Sequence, residues 1–402
     1  MRYLVIGMPG CGNLGDDLIS TLLQNQIKSF EPDAEIAILC GEFSEFKCLS
    51  GVKKLFVPRN IPLKHWKRKR IIIDYIKRCD RILIGGGGLF QDTHSFFTIH
   101  KYLHWLYYAN CQVDCVGIGV GPIRYSFNER YLKQVLCRPG ISIQVRDKES
   151  YNYLIYHQFD KVIIGCDVVE GSALSLKQIK HDGVVLGCSI RKWHDLDISR
   201  VCQIINSQVE LLNATKVYLF VFENSIASSE EYDFAVEISK FIHRSHEIYT
   251  YGRDENIFEK LCEVDYAIAS RYHANIIWQK IGVPVIPIPY APKVYSLYLS
   301  SGIKLNPIDS MDFSTEYQRL PSFENFKISN PYTNIKVYFS LFEKFTNFVF
   351  ECFCFIMSSL ISISIAMQRL VLASTKSLKP LFARLKTKKS TICLQLALEL
   401  RT

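Results

Sequence analysis

Short apolar runs rich in β-branched residues alternate with stretches whose apolar residues recur at helical spacing. The first series is RYLVIG (2–7), EIAILC (35–40), KKLFVP (53–58), RILIGG (81–86), VDCVGIGV (113–120), SIQVRD (142–147) and KVIIGC (161–166). A second series follows: GVVLGCSI (183–190), KVYLFVF (216–222), EIYT (247–250), DYAIAS (265–270) and VPVIPI (283–288). Strands that are apolar throughout and separated by helices predict parallel sheets covered on both faces. Residues 171–182, GSALSLKQIKHD, carry little pattern and read as a connection. The expectation is an α/β chain of two doubly wound, Rossmann-like domains, 1–170 and 183–300, followed by an extension over 301–402. No short repeat of fixed period is present.

The extension has its own pattern. Residues 345–372 are apolar, and 352–368 contain no charge. That uncharged stretch is shorter than the roughly 20 residues a membrane-spanning helix needs. Asn347, Glu351, Ser358, Ser362 and Arg369 recur at helical spacing as a narrow polar stripe. Two readings stand: a helix packed on the body, or a membrane-facing helix assisted by the basic tail KSLKPLFARLKTKK. The run KHWKRKR (64–70) is likewise either a solvated helix start or a patch for anionic lipid.

Composition narrows the classes. With 48% hydrophobic and 22% charged residues, the chain is not globally disordered. The net charge of +9 is misleading, because residues 369–402 hold eight Lys/Arg against one acid. The body is close to neutral, so no nucleic-acid partner is expected. The 14 Cys are scattered, and the close pairs Cys111/Cys115 and Cys352/Cys354 have no matching second pair. Free thiols in a reducing compartment are expected, with no metal. Met1 leads directly into a strand without a signal peptide, so the expected location is the cytoplasm, at the inner face of the plasma membrane if the extension touches lipid.

Candidate chemistry collects at strand ends. GMPGCGNLGDD (7–17) follows the first strand and opens a helix, and Gly10, Gly12 and Gly15 match G-x-G-x-x-G. With Glu42 ending the second strand, this is the context of a dinucleotide turn. Asp16 and Asp17 suit the helix dipole but would repel a pyrophosphate, and could instead accept bonds from sugar hydroxyls or serve as a base. Gly85–Gly88 with Asp92, and GIGVGPI (117–123), are further glycine-rich strand ends where a ligand can approach backbone. Arg146 ends a strand ahead of Asp147, and Arg191 ends the first strand of the second series. In IASRYHANIIWQK, Ser270 is expected as N-cap, with Arg271, Tyr272 and His273 in the first helical turn. A cation there makes sense if an anion shares the site. Lys293 lies just beyond the last strand. His100 and His104 form an i, i+4 pair among aromatic residues and read as a helix face more readily than as metal ligands.

In order, GCGNLGDD, GGGGLFQD, GIGVGP, VRDKES, SIR and RYHANIIWQKIGVPVIPIPYAPK resemble the polysaccharide pyruvyl transferase family, over roughly residues 3–295. The family pattern often has Glu at Asp17 and Leu or Met at Tyr272; the second change implies an altered acceptor fit. The resemblance implies a GT-B-like fold and transfer of pyruvate from phosphoenolpyruvate to sugar hydroxyls, giving a ketal in cell-surface polysaccharide synthesis. It implies no cofactor beyond this co-substrate. The partner is a saccharide acceptor, free or lipid-linked, with peripheral membrane contact if the extension supplies it. The family's Arg-x-His motif falls on Arg271 and His273, assigned to the donor with Arg191, Lys293 and Arg146 as further clamps. His273 is the candidate acid, and Asp16, Asp17 or Asp92 the candidate base. Gly12, Asn13, Asp16, Asp17, Gly86 and Gly87 form the expected acceptor side. The rival readings are a GT-B nucleotide-sugar glycosyltransferase, an NAD-dependent oxidoreductase, and a membrane-surface scaffold on the same fold.

Overall fold

The computed structural model describes residues 1–305 apart from 43–45, 58–65, 94, 173, 175, 194–195, 225–229 and 300–301. The apolar segment 345–372 and the basic tail lie outside the described residues. One compact unit comprises Met1–Val57 and Arg68–Asn347; a second, Pro58–Lys67 with Phe348–Thr402, falls almost wholly outside the described residues. Among the described residues no helix is long and apolar enough to cross a membrane.

The first sheet has seven strands: β1 (Arg2–Ile6), β2 (Glu35–Cys40), β3 (Lys53–Phe56), β4 (Arg81–Phe90), β5 (Gln112–Val120), β6 (Ile141–Val145) and β7 (Val162–Ile164). Their order is β3-β2-β1-β4-β5-β6-β7, with every pairing parallel. The order reverses between β1 and β4, which opens a crevice beyond their carboxyl ends. The helices are α1 (Leu14–Phe30), α2 (Trp66–Ile76), α3 (His100–Leu106), α4 (Ser126–Leu136), α5 (Lys148–Tyr156) and α6 (Val168–Gly171).

A second parallel sheet, ordered β10-β9-β8-β11-β12, is built from β8 (Val185–Ser189), β9 (Lys216–Val221), β10 (His246–Thr250), β11 (Tyr266–Ala269) and β12 (Val285–Pro287). Its helices are α7 (Ile198–Leu211), α8 (Glu230–Ser239), α9 (Ile257–Cys262), α10 (Tyr272–Ile281) and α11 (Pro292–Leu299). Its own reversal lies between β8 and β11, so the second crevice opens beside α10. The α/β class with two parallel, GT-B-like sheets is as the sequence predicts.

Apolar packing runs from one sheet to the other. Leu14, Ile19 and Leu23 of α1 share a buried cluster with Phe220, Tyr272 and Trp278 of the second half. α1 also lies directly on β4. A Cβ at Gly85 would meet Leu23, and one at Gly86, whose φ is +67°, would meet Ile19. The glycine run therefore serves helix packing at its first two positions. His100 is buried, within 2.9 Å of Asn128 Oδ1 and stacked on Tyr131, so the His100/His104 pair belongs to an aromatic core face.

Candidate functional site

The first turn is held from both sides. Asn13 caps α1, its side-chain oxygen accepting from the Gly15 and Asp16 amides. Across from it, the Leu14 amide donates to the Phe222 carbonyl at 2.9 Å and the Asn224 amide to the Gly12 carbonyl at 2.7 Å. This antiparallel bridge joins the turn to the end of β9. Gly15 faces His273: a Cβ there would fall on the imidazole ring. The third glycine of G-x-G-x-x-G thus admits a histidine from the other half of the molecule. Glu42, the candidate ribose ligand, is instead exposed and paired with Arg68.

The paired aspartates diverge. Asp17 is buried and accepts from the Gly10 amide at 2.5 Å and from the Tyr251 hydroxyl at 2.8 Å. Burial pushes its carboxyl up to about 7, although both donors oppose the shift. Asp16, partly exposed, feels His273, Lys293, Glu223 and Arg271. Burial raises its carboxyl too, opposed by those three cations. Asp16 Oδ1 also lies 3.5 Å from where a Gly87 Cβ would stand, which brings the end of the glycine run to the same place.

Arg271 is the N-cap of α10, so the helix starts at Tyr272, one residue later than the sequence suggests. Ser270 does not cap it; its hydroxyl accepts from the Arg191 amide at 2.7 Å, tying the ends of β8 and β11. The Arg271 guanidinium is buried against Glu231 and donates to Glu223 at 2.7 Å. Arg191 lies 3.9 Å from the same Glu223 oxygen. Lys293 sits 5.4 Å from the centre of the Tyr290 ring, and Trp193 stacks on the same ring at 5.5 Å.

These cations repel one another. Burial lowers the Lys293 ammonium, and Arg146 and Arg191 lower it further, while Tyr290 opposes. Burial likewise lowers Arg271, with Arg191 adding to the effect and Glu223 opposing. Burial alone would raise Tyr290, but Lys293, Arg191 and Arg271 outweigh it and hold the phenol below its ordinary value. Glu223 follows the same logic: burial raises it, and Arg271, Arg191 and Lys293 together hold it low. Several like charges gathered at strand ends and a helix start are what an anionic ligand requires.

Arg146 occupies a different layer. It is buried, 3.3 Å from Asp147, 3.4 Å from Asp167, and lies over the Tyr272 ring at 4.3 Å. Tyr272 is itself buried, so it lines the Arg146 pocket. A Cβ at Gly119 would lie 2.8 Å from the guanidinium, so the glycine of β5 makes room for it. Asp167, fully buried, caps α6 with Glu170 in a reciprocal capping box. Its Oδ1 is 3.7 Å from His273 Nε2. Burial would raise this carboxyl, but His273 and Arg146 together hold it below its ordinary value.

Asp92 is buried in a loop of its own, accepting from the Arg124 and Tyr125 amides and the Asn128 side chain. The structure therefore brings Asp16, Gly87, His273, Arg271, Arg191 and Lys293 together. It gives Gly12, Asn13 and Asp17 to the contact between the two halves, Gly86 to packing, Arg146 to the layer behind His273, and Asp92 to a loop. Asp167, Glu223, Glu231 and Tyr290 escaped the sequence reading. The signal was present for two of them: Asp167 follows β7 and Glu223 follows β9, each just beyond a strand end. Among the described residues no group of three or more His, Cys, Asp or Glu side chains is arranged to hold a metal ion.

Among solved structures, the chain is similar to the S. aureus MnaA–UDP structure, at 10% identity and TM-score 0.52, covering 76% of this chain and 84% of that one. It is also similar to the UDP-GlcNAc 2-epimerase of Neisseria meningitidis bound to UDP-GlcNAc, at 13% identity and TM-score 0.47, covering 77% and 88%. At such identity the first likeness speaks to the fold alone. No curated protein matches the sequence. The family model for polysaccharide pyruvyl transferase matches residues 13–292, from the Asn13 cap of α1 through β12 to the first residue of α11. That span is well over half of the chain, and the chain belongs to the polysaccharide pyruvyl transferase family, a family of transferases.

Proposed function

We propose that this protein transfers the three-carbon unit of phosphoenolpyruvate to two hydroxyls of a saccharide, forming a cyclic ketal and releasing inorganic phosphate in the cytoplasm. One observation carries the reading: the Arg191 and Arg271 guanidinium groups meet at one Glu223 oxygen, 3.9 Å and 2.7 Å away, Lys293 acts on the same carboxylate, and His273 stands two residues beyond Arg271. Phosphoenolpyruvate brings a phosphate and a carboxylate on a small frame, and guanidinium forks with an ammonium match both.

His273 gives a proton to the donor's methylene carbon, and cationic character develops at C2. A sugar hydroxyl adds to C2 and loses its proton to Asp16, whose raised carboxyl suits that task. Phosphate then leaves with the C–O electron pair, and the second hydroxyl closes the ketal. Atoms balance: the methylene becomes a methyl, the proton taken by Asp16 restores that lost by His273, and the second hydroxyl's proton leaves with phosphate. Asp17 and Asp92, whose oxygens are already engaged, stay outside the reacting set. So does Arg146.

Incubation with phosphoenolpyruvate and a panel of saccharides tests this. Phosphate release that depends on the saccharide, with a product heavier by pyruvate less water, is the expected result. No release from phosphoenolpyruvate, with nucleoside diphosphate released from a sugar nucleotide, would replace the reading with glycosyl transfer.

A further inference from the structure

Behind His273 lies a set of buried charges. Asp167 is 0% exposed, and its two oxygens face different partners: Oδ1 lies 3.7 Å from His273 Nε2, and Oδ2 lies 3.4 Å from Arg146 Nη1. Arg146 is held in turn by Asp147 and by the Tyr272 ring. The other ring nitrogen of His273, Nδ1, faces Gly15 at the start of α1. The imidazole is therefore clamped between a buried carboxylate and a position where any side chain would displace it.

We propose that Asp167 is the positioning residue of the general acid: it orients His273 and stabilises its protonated form, with Arg146 setting how strongly. The inference rests on the reading of His273 as the proton donor to phosphoenolpyruvate. The groups facing the imidazole are Asp167 from the start of α6, Asp16 from α1, and the Tyr272 ring at 5.3 Å. Arg146 is shared between Asp147 and Asp167, and Glu170 and Lys280 stand behind them, so Asp167 keeps one oxygen for the imidazole. An opposite charge at this range favours the charged form of its partner. Here that is the imidazolium, the form that has a proton to give. The covalent step is the transfer already described: the His273 N–H bond breaks, the C2–C3 π pair of the donor forms the new C3–H bond, and C2 is left electron-poor. Asp167 exchanges no proton; it lowers the free energy of the imidazolium and engages Nε2, which leaves Nδ1 as the nitrogen that gives the proton.

The test is Asp167→Asn in the full chain, which keeps the shape and the cap while removing the charge. Turnover should fall by ten-fold or more, with phosphoenolpyruvate affinity within about three-fold of wild type. The alkaline limb of the kcat profile should move at least about one pH unit to lower pH. A limb that stays in place would overturn the proposal, whatever the loss in rate. A readout independent of turnover is the titration of the His273 ring protons by NMR, in wild type and Asp167→Asn. A shift to lower pH supports the role; an unchanged titration contradicts it. If the Asn variant does not fold, Asp167→Glu keeps the carboxylate and should retain the wild-type limb at reduced kcat; a displaced limb there counts against the proposal. Failure of the wild type to turn over phosphoenolpyruvate would sink the functional reading while the NMR titration still decides the Asp167–His273 coupling.

Discussion

Asp16 and Asp17 are neighbours in sequence, yet successive side chains on a helix point about 100° apart. That turn sends Asp16 toward Lys293 and Arg271 and Asp17 into a pin with Tyr251. The pin has a pH signature. Burial raises Asp17 to about 7, so between roughly pH 4, the ordinary carboxylate value, and pH 7 the folded state keeps a proton that the unfolded chain releases. Stability from this group is complete below that window and declines as pH rises through it. Denaturant melts across the window should show a steeper decline in wild type than in Asp17→Asn. Glu170, also raised to about 7 by burial, contributes the same sign in both proteins. Within the site, Arg191 is the cation best suited to removal, because it is partly exposed and its loss strands no buried carboxylate as loss of Arg271 would strand Glu231. Arg191→Ala should weaken donor binding ten-fold or more, the loss of one charge-assisted bond worth about 1.5–3 kcal/mol. The cations were legible in the sequence because strand ends are where ligands collect. The Asp17–Tyr251 pair was not, because its members stand 234 residues apart and neither sits in a pattern that names the other.

Among the elements, α1 and β4 show how a glycine run is divided. Gly85 and Gly86 let α1 lie flat on the strand, and only Gly87 stands beside a site side chain. The sequence announced four glycines at a strand end but not which face each one served, since that depends on where α1 crosses β4. Gly86→Ala should cost about 1–3 kcal/mol through overpacking against Ile19, plus the strain of a positive φ, read as a lowered unfolding midpoint. Adding Ile19→Ala should not restore the full loss, because the backbone strain remains. The strand series itself was readable to within two residues, since parallel strands buried on both faces are continuously apolar. The exception is β4, which runs to Phe90, four residues past its expected end, because the glycine run hides the continuation. The start of α10 was misplaced by the same local reasoning that found it: Ser270 is a good capping residue by type, but its hydroxyl is drawn to the Arg191 amide on the neighbouring strand.

At the scale of the whole molecule, the first turn is the joint between two sheets. The bridge from Gly12–Leu14 to Phe222–Asn224, the Asp17–Tyr251 bond and the seating of His273 on Gly15 all fall within a few residues. A dinucleotide turn leaves its amides for a pyrophosphate; here the Gly15 and Asp16 amides go to Asn13 and the Leu14 amide goes to the second half. Tyr251→Phe should therefore reduce stability by about 1–3 kcal/mol, the cost of leaving a buried acceptor short of a donor. It should also lower turnover more than donor affinity, because it loosens the joint and touches no donor cation. The central claim is that the second half's cations hold phosphoenolpyruvate. Calorimetry of phosphoenolpyruvate with wild type, Arg191→Ala and Lys293→Ala tests it directly. One-site binding in wild type, weakened ten-fold or more by each substitution, is the expected result. Binding unchanged by both substitutions, or no binding to wild type with saccharide present, would contradict it.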